Sequence, residues 1–396
     1  MWRAGIDLAS ESISPRIDTS DPARLEHLAA FQQARQEGQM HHAATHLARA
    51  LDLRAFVSLP FRGKAPAARV LVLQSILAGN VLIHRFLDDR LFAVHILLVE
   101  FWQPSCALPE HDLVFNAIGD ADIRQEALAQ AERILERTTA PLLNPPSAVR
   151  STTRDGNADR FRLMPGLRTA RTARVSRDDL VPDAFAEILL HHNLTLPVLV
   201  RAPGFHMGQN CLRLDDAAQL AAALRKLPGE ELLLVEHLPT RSPDGWCRKY
   251  RVLFLDGQLY PVHLAVSSHW KVHYFSAEMT CNAAHRAEDA CFLADMPSIL
   301  GSAAVATLER MQRALALDYG GVDFGLDGEG RILLFEANAN MAVIRPPDEA
   351  IWDYRCPAVD RIFDAFHQML LERKMLRQTS YLAQSATAGD AVAARC

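Results

Sequence analysis

The sequence predicts an α/β (α+β) fold, and three patterns carry that prediction. Between residues 67 and 146, short continuous apolar runs alternate with helical patterns, which is typical of a small sheet with strands buried on both faces. Residues 250–266 place Asp256-Gly257 between two alternating apolar runs, a strong hairpin signal. A similar pattern at 321–341 predicts a second hairpin. Helical patterns before and after these hairpins complete a mixed architecture.

Composition narrows the class of protein. The 396 residues include 42 basic and 47 acidic side chains, so the formal net charge is −5, which excludes the broad basic surface of a general nucleic-acid binder. No apolar run approaches the ~18 residues that span a bilayer, and the first residues lack the apolar segment of a secretory signal. Seven cysteines form no C-x-x-C pair. We therefore expect a cytoplasmic protein with neither nucleic acid nor membrane as partner.

Four segments follow one another along the chain. Residues 1–66 predict a helical arm in which residues 28–53 resemble one tetratricopeptide-type helix pair, although a plain helical hairpin is the simpler interpretation. Residues 67–146 predict the small α/β domain, with strands near 69–74, 92–102 and 112–118 and a helix at 123–137. Residues 147–376 predict the main domain, and residues 377–396 a disordered tail.

The main domain begins with an Arg- and Thr-rich connector and continues with alternating helices and strands. We expect helices at 181–193, 215–227, 299–317 and 357–375, and strands at 196–202 and 231–238 besides the two hairpins.

The last hairpin carries the most informative polar residues. A turn that pairs Gly328 with Arg331 would place Asp323 opposite Glu336, with their Cβ atoms ~5 Å apart on one face. Asn338, two residues further on, would share that face. Two carboxylates and an amide oxygen that converge in this way suit magnesium. The alternative, incidental acids at a solvated hairpin end, is weakened by the apolar residues around them.

Two strand ends predict a place for a nucleotide. Arg201 ends an apolar strand and is followed by a loop with Gly204 and Gly208, whose backbone N–H groups could cradle phosphate oxygens. The strand at 231–238 ends in Glu236-His237-Leu238, which could present backbone groups to a planar base and a carboxylate to a sugar. Glycine turns after strands are common, so neither pattern is specific alone.

Taken together and in this order, these features resemble the ATP-grasp superfamily, particularly the glutathione-synthase and RimK-like carboxylate–amine ligases, over residues 67–370. The resemblance implies an ATP-grasp fold preceded by a small α/β pre-ATP-grasp domain. It implies metal ligands at Asp323, Glu336 and Asn338, and it gives Arg251 a role at the triphosphate or acyl phosphate. Arg201 stands where these enzymes usually carry a lysine. The nucleotide-binding residues that the resemblance implies are Arg154 (with Arg160 as the other candidate), Arg201, Gly204, Gly208, Gln209, Glu236, His237 and Leu238.

One further segment, Ser267 to Tyr274, predicts a patch that faces a substrate. If the segment is extended, His269, Lys271 and His273 share one face, where they could bind an anion or transfer a proton. Lys271 and His273 join Arg251 as candidate catalytic residues. The alternative is an amphipathic edge strand whose polar face is exposed to solvent.

The resemblance implies an enzyme: a ligase that uses ATP with Mg²⁺ (or Mn²⁺) to join a small-molecule carboxylate to an amine through an acyl phosphate. An amino acid or a peptide could be a substrate. Two alternatives share the nucleotide residues. One is a kinase of the same fold, and the other is an inactive nucleotide-binding scaffold whose N-terminal helices recruit a protein partner.

Overall fold

The structure is a computed structural model that describes residues 55–205, 208–274 and 277–393, and isolated positions between 26 and 49. Beyond residue 376 it describes the backbone alone. The helix pair predicted at 28–53 lies outside these continuous ranges. Of the predicted helical arm 1–66, residues 55–66 are described, and Phe56–Ser58 form a strand there and not a helix. The chain divides into two compact units, one made of residues 1–119, 126–147 and 361–396 and the other of residues 120–125 and 148–360.

The first unit is built on a five-stranded sheet of order β1-β3-β2-β4-β5. β2 to β5 run parallel, and β1 pairs with β3 antiparallel. Its central strands are buried, as their continuous apolar runs predict. The bounds of the strands are β1 Phe56–Ser58, β2 Ala68–Gln74, β3 Phe92–Leu98, β4 Leu113–Asn116 and β5 Leu142–Leu143.

Two helices belong to this unit wholly or in part. Helix α1, Gln125–Leu135, buries one apolar face through Leu128 and Ile134. The last helix of the chain packs Phe366 edge-on against Phe115, with ring centroids 5.5 Å apart. The sequence also indicates a helix at 81–89, but only one 3₁₀ turn forms there, Ile83–Arg85. The side chain of Asp88 accepts the backbone N–H of Arg90, which competes with helix propagation.

The second unit contains two antiparallel-rich sheets. The first has the order β7-β10-β8-β9 and is covered by α4 and α5, which bury Phe185 and Leu220 against it. Its strands are β7 Thr172–Ser176, β8 Val198–Arg201, β9 Cys211–Leu214 and β10 Glu231–Glu236. Its helices are α4 Phe185–His191 and α5 Leu220–Lys226.

The second sheet has the order β12-β11-β13-β14-β6, and only β6 lies parallel to its neighbour. Its strands are β6 Leu167–Thr169, β11 Cys247–Leu255, β12 Gln258–Ser267, β13 Tyr319–Leu326 and β14 Ile332–Asn338. The remaining helices are α2 Pro146–Arg150, α3 Arg154–Phe161, α6 Ala283–Ala294, α7 Met296–Leu300, α8 Ser302–Leu315 and α9 Cys356–Ala393. No sequence pattern predicts α2, α3 or α6, and α6 packs against β12.

The first predicted hairpin forms as expected. β11 and β12 are joined by Asp256 and Gly257, both with positive φ (47° and 78°), which a two-residue hairpin turn of this kind requires.

The second hairpin forms with a different turn from the predicted one. Asp323 pairs with Glu336 as expected, but residues nearer the turn pair one position out of that register, and a bulge after Asp323 restores it. The chain reverses through 327–331, where the side chain of Asp327 accepts the N–H groups of Glu329 and Arg331, each at 2.9 Å. These local hydrogen bonds stabilise the wider turn. The predicted pairing of Gly328 with Arg331 is therefore wrong, although the facing acids are present.

The last helix extends past the predicted boundary at residue 376, because α9 continues to Ala393 where a disordered tail is expected. The extension contains no proline, and a helix that already exists adds residues without a new nucleation cost.

The mixed α/β class predicted from the sequence is confirmed. Within the described residues, no helix has both the length and the apolar character that a membrane crossing would need. The six cysteines that the structure describes are all free thiols.

Candidate active site

A cavity of about 200 Å³ lies within the second unit, with walls from both of its sheets. Arg201 and Glu236 come from the ends of β8 and β10, whereas Lys249, Asp323 and Glu336 come from β11, β13 and β14. The fold therefore gathers, around one cavity, residues that are more than a hundred positions apart in the chain.

Asp323 is buried and is held by two cations of the neighbouring strand. Arg251 donates from Nε and Nη2 to the two carboxylate oxygens at 2.7 and 2.8 Å, and Lys249 donates from Nζ at 2.9 Å. Arg251 lies opposite Asp323 in the ladder between β11 and β13, so the sheet register creates this contact. Burial works against the charged carboxylate, but the two cations outweigh it and hold the pKa of Asp323 well below its usual range.

Glu336 lies across the hairpin from Asp323 and has its own cation. Arg154, the first residue of α3, donates from Nη2 to Glu336 Oε1 at 2.6 Å. Asn338 donates its amide N–H to the same oxygen at 2.6 Å, so the predicted shared face of Glu336 and Asn338 is present. Asn157 fixes α3 to β14 by donating to the carbonyl of Ala337 at 2.6 Å.

Of the two arginine candidates for the earlier basic position, Arg154 lines the cavity. Arg160, the other candidate, donates instead to the hydroxyl and the carbonyl of Ser151, and it does not line the cavity.

An acid that the sequence analysis does not identify supports Arg154. Asp122 lies 3.8 Å from Arg154 Nε and accepts Nη2 of Arg174 at 2.8 Å, and Arg174 also pairs with Asp155. Burial is the main reason that the pKa of Asp122 is raised, although both arginines oppose it. Asp122 is distant in sequence from its partners, so no local spacing could have identified it.

Arg201 is a guanidinium with spare donors beside the cavity. Its Nη2 donates to the carbonyl of Phe205 at 2.6 Å, and its buried Nε has no partner among the residues that the structure describes. Burial, and then the nearby charge of Arg154, lower the pKa of Arg201 to about 10. Two cations held this close favour an anion between them.

The glycine loop after β8 is held by Lys271. Its ammonium donates to the carbonyls of Gly208 and Cys211 at 3.1 and 3.0 Å, so it lies on the loop and lines the cavity. Gly204 serves packing, because a Cβ there would lie 2.4 Å from a methyl carbon of Ile123. Gly204 and Gln209 belong to the loop but do not line the cavity.

The predicted common face of His269, Lys271 and His273 is wrong. β12 ends at Ser267 and the chain then bends, so alternation no longer applies. Lys271 lines the first cavity, whereas His273 lines a second one of about 270 Å³ together with Arg251. Lys249 lines both cavities.

Part of the lining of the first cavity is apolar or aromatic. His237 and Trp270 meet edge to face there with centroids 5.7 Å apart, and burial lowers the pKa of His237. The carboxylate of Glu236 is predicted from the sequence to lie near a sugar. Instead it accepts hydrogen bonds from Nη2 of Arg168 at 2.7 Å and from the backbone N–H of Arg171 at 3.1 Å. Further apolar lining comes from Leu199, Val235, Leu238, Val272 and Leu334.

The donor set at Asp323, Glu336 and Asn338 has the chemistry that magnesium prefers, two carboxylates and an amide oxygen. In the described chain each carboxylate is already neutralised by arginine or lysine. No group of three or more His, Cys, Asp or Glu side chains suited to a metal occurs among the described residues. The residues fit a divalent ion that binds together with a polyanion. The ion would replace Arg154, Lys249 and Arg251 at the two carboxylates, and these cations could then pair with the polyanion.

No family model and no curated protein matches the sequence. Among solved structures, the chain is similar to the D-alanine–D-alanine ligase from Coxiella burnetii, with 12% identity, a TM-score of 0.47, and coverage of 82% of this chain and 99% of that one. The D-alanyl-alanine synthetase A from Vibrio cholerae gives 14% identity, a TM-score of 0.49, and coverage of 78% and 98%.

A third similar structure is the ATP-grasp ligase PsnB complexed with precursor peptide PsnA2 and AMPPNP, with 15% identity, a TM-score of 0.41, and coverage of 75% and 98%. Similarity at this level does not define a function. The function proposed below rests on the contacts of this chain's own residues.

Proposed function

We propose that the chain is an ATP-grasp ligase that uses ATP and Mg²⁺ to join a carboxylate to an amine through an acyl phosphate. The observation that carries this proposal is the facing pair Asp323 and Glu336, which lines a partly apolar cavity and is paired with the cations Arg154, Lys249 and Arg251.

The lining of the first cavity suits both parts of a nucleotide. A planar base would fit beside Trp270 and Leu238, where the backbone of 236–238 can supply polar groups. A triphosphate would fit beside Arg154 and Arg201, since guanidinium groups bind phosphate oxygens through paired hydrogen bonds. Lys271 would keep the glycine loop over the phosphates.

Asp323, Glu336 and Asn338 would hold the divalent ion, which supplies charge neutralisation at the transferred phosphoryl group. Arg251 and Lys249 would then be released from Asp323 to face the reacting groups. Their role would be positioning and charge stabilisation, since the reaction needs no covalent enzyme nucleophile.

The chemistry runs in two steps. An oxygen of the substrate carboxylate attacks the terminal phosphorus of ATP, the bond to the bridging oxygen breaks, and ADP leaves with that electron pair. The amine then attacks the acyl carbon, phosphate leaves, and the amine loses a proton as the amide forms. The second cavity, which shares Lys249 with the first, would hold the carboxylate substrate.

Binding of a nucleotide analogue with and without Mg²⁺ tests the site directly. We expect Mg²⁺ to tighten AMPPNP binding to the unmodified chain, and Glu336→Ala to lose at least tenfold of that effect. Glu329→Ala, on the exposed turn of the same hairpin, is the matched control and should behave like the unmodified chain. Metal-dependent affinity that survives in Glu336→Ala would refute the metal assignment.

A panel of carboxylates and amines, scored for ADP and free phosphate and followed by mass analysis, tests the reaction. Amine-dependent release of both products supports the ligase. ADP without free phosphate would indicate a kinase, and tight binding without ADP would indicate a scaffold. We expect the substrates to be small molecules met in the cytoplasm, as the free cysteines favour.

A further inference from the structure

The second cavity has a definite chemical character that the proposed function leaves open. It measures about 270 Å³, below the roughly 300–1,000 Å³ of pockets for drug-sized ligands. It lies entirely within the second unit, between β11, β12 and the segment 342–355. A ligand held here would therefore be small.

The charged lining of this cavity is strongly unbalanced. Its cationic side chains are Lys249, Arg251, Arg345 and Arg355, and its only acid is the exposed Glu349. Outside the lining, Asp323 pairs with Lys249 and Arg251, Asp360 with Arg345, and Asp289 lies 3.7 Å from Arg355. If a divalent ion took over Asp323, as the proposed function has it, Lys249 and Arg251 would be free to pair with an anion in this cavity.

The rest of the lining is a connected wall of rings. His263 and Tyr274 have centroids 4.8 Å apart, and Tyr274 and Trp352 have centroids 5.9 Å apart. The guanidinium of Arg355 lies 4.3 Å from the Tyr274 centroid. Trp352 and His263 are buried, so the wall is held by packing. Ring faces of this kind stack on planar groups.

The two histidines of the lining, His263 and His273, are uncharged at neutral pH. Burial, and then the charges of Lys249 and Arg251, lower the pKa of His273 to about 4, and burial lowers that of His263 still more clearly. At neutral pH the cavity therefore combines neutral rings with cationic side chains, and Arg355 lies against the ring of Tyr274.

We propose that the second cavity binds a small carboxylate with a planar apolar body, its carboxylate against Lys249 and Arg251 and its ring against Tyr274 and Trp352. This assignment names the substrate class of the ligase and so rests on the proposed function. The carboxylate would lie at the end that adjoins the nucleotide cavity, since Lys249 lines both.

The test is calorimetric binding to the full chain saturated with AMPPNP and Mg²⁺. The probes are 3-phenylpropanoate, its uncharged amide, and propanoate, which keeps the charge without the ring. We expect 3-phenylpropanoate to bind at least tenfold more tightly than either of the others. Equal affinity for the acid and the amide, equal affinity for the two acids, or no binding of 3-phenylpropanoate would overturn the assignment.

Two variants locate the binding. Ile344→Glu and Thr280→Glu each put a negative charge into the lining, and Thr280 is exposed, so its replacement should leave folding intact. We expect at least tenfold weaker 3-phenylpropanoate binding and AMPPNP affinity within twofold of the unmodified chain. Leu163→Glu, at a residue 84% exposed and outside both cavities, is the control.

The two proposals fail in different ways. Lack of AMPPNP binding to the unmodified chain would remove the proposed function. Normal AMPPNP binding with 3-phenylpropanoate affinity unchanged in both lining variants would remove only the present assignment.

Discussion

Replacing Asp323 with asparagine tests the ion cluster at the centre of the site. The carboxylate is 2% exposed and accepts three charge-assisted hydrogen bonds, two from Arg251 and one from Lys249. Asparagine keeps the shape but has one acceptor oxygen, and its amide N–H groups would face two cations. The variant therefore leaves two buried positive charges without their counter-charge.

The magnitude follows from that burial. Removing one partner of a buried ion pair costs about 3–5 kcal/mol, because the other charge stays uncompensated. For a unit of about 200 residues, 1 kcal/mol corresponds to roughly 2–4 °C in Tm, so we expect Asp323→Asn to lower Tm by about 6–20 °C.

Thermal and urea unfolding of the ligand-free chain measure this effect. The matched control is Asp327→Asn on the same hairpin, whose partner Arg331 is 55% exposed, so the pair is worth only about 0–1 kcal/mol. Similar losses of stability in the two variants would refute the buried cluster.

Three further predictions concern separate parts of the second unit. Burial raises the pKa of Asp289 to about 6, so the folded chain binds this proton more tightly than the unfolded chain does, and the free energy of unfolding falls as the pH rises from 4 to 6, by up to about 1.4 kcal/mol per pH unit. Urea unfolding of Asp289→Asn should show a shallower dependence of that free energy on pH, and a slope identical to that of the unmodified chain would contradict the prediction. A Cβ at Gly321 would lie 2.6 Å from a backbone oxygen, so Gly321→Ala should cost about 1–3 kcal/mol in the same assay, whereas Gly328→Ala, with nothing within 4 Å, should cost almost nothing, and equal costs would count against the described packing of β13. Lys271→Met removes the donor to the glycine loop, and because Lys271 is exposed we expect only a two- to fivefold loss in AMPPNP affinity by calorimetry; unchanged affinity would show that the lysine does not hold the loop.

Local rules were enough for the longer apolar strands and for one pairing, but they did not predict the shorter strands β1, β5, β6, β7 and β9. The alternation of side chains in a hairpin places Asp323 and Glu336 on one face, and that pairing is present. The predicted turn was nevertheless wrong by one position, and the bulge after Asp323 compensated for the error. The wider turn is stabilised by hydrogen bonds to the side chain of Asp327, and a pattern of apolar residues does not reveal them.

The prediction that Lys271 and His273 share one face is wrong for a similar reason. Alternation holds only while a strand continues, and the end of β12 at Ser267 is set by where its partner β11 begins, at Cys247. Beyond the last paired residue the chain turns, so the two side chains enter different cavities. Strand length is a property of the pair and not of one segment.

The sequence by itself determined the mixed class, the hairpins and the identity of the residues with useful chemistry, because these depend on contacts between near neighbours in the chain. Tertiary structure alone decided which charges meet: Arg251 and Lys249 reach Asp323 through the register of β11 on β13, and Asp122 reaches Arg154 from a distant loop. Electrostatic energy depends on separation in space and on burial, and neither is encoded in spacing along the chain.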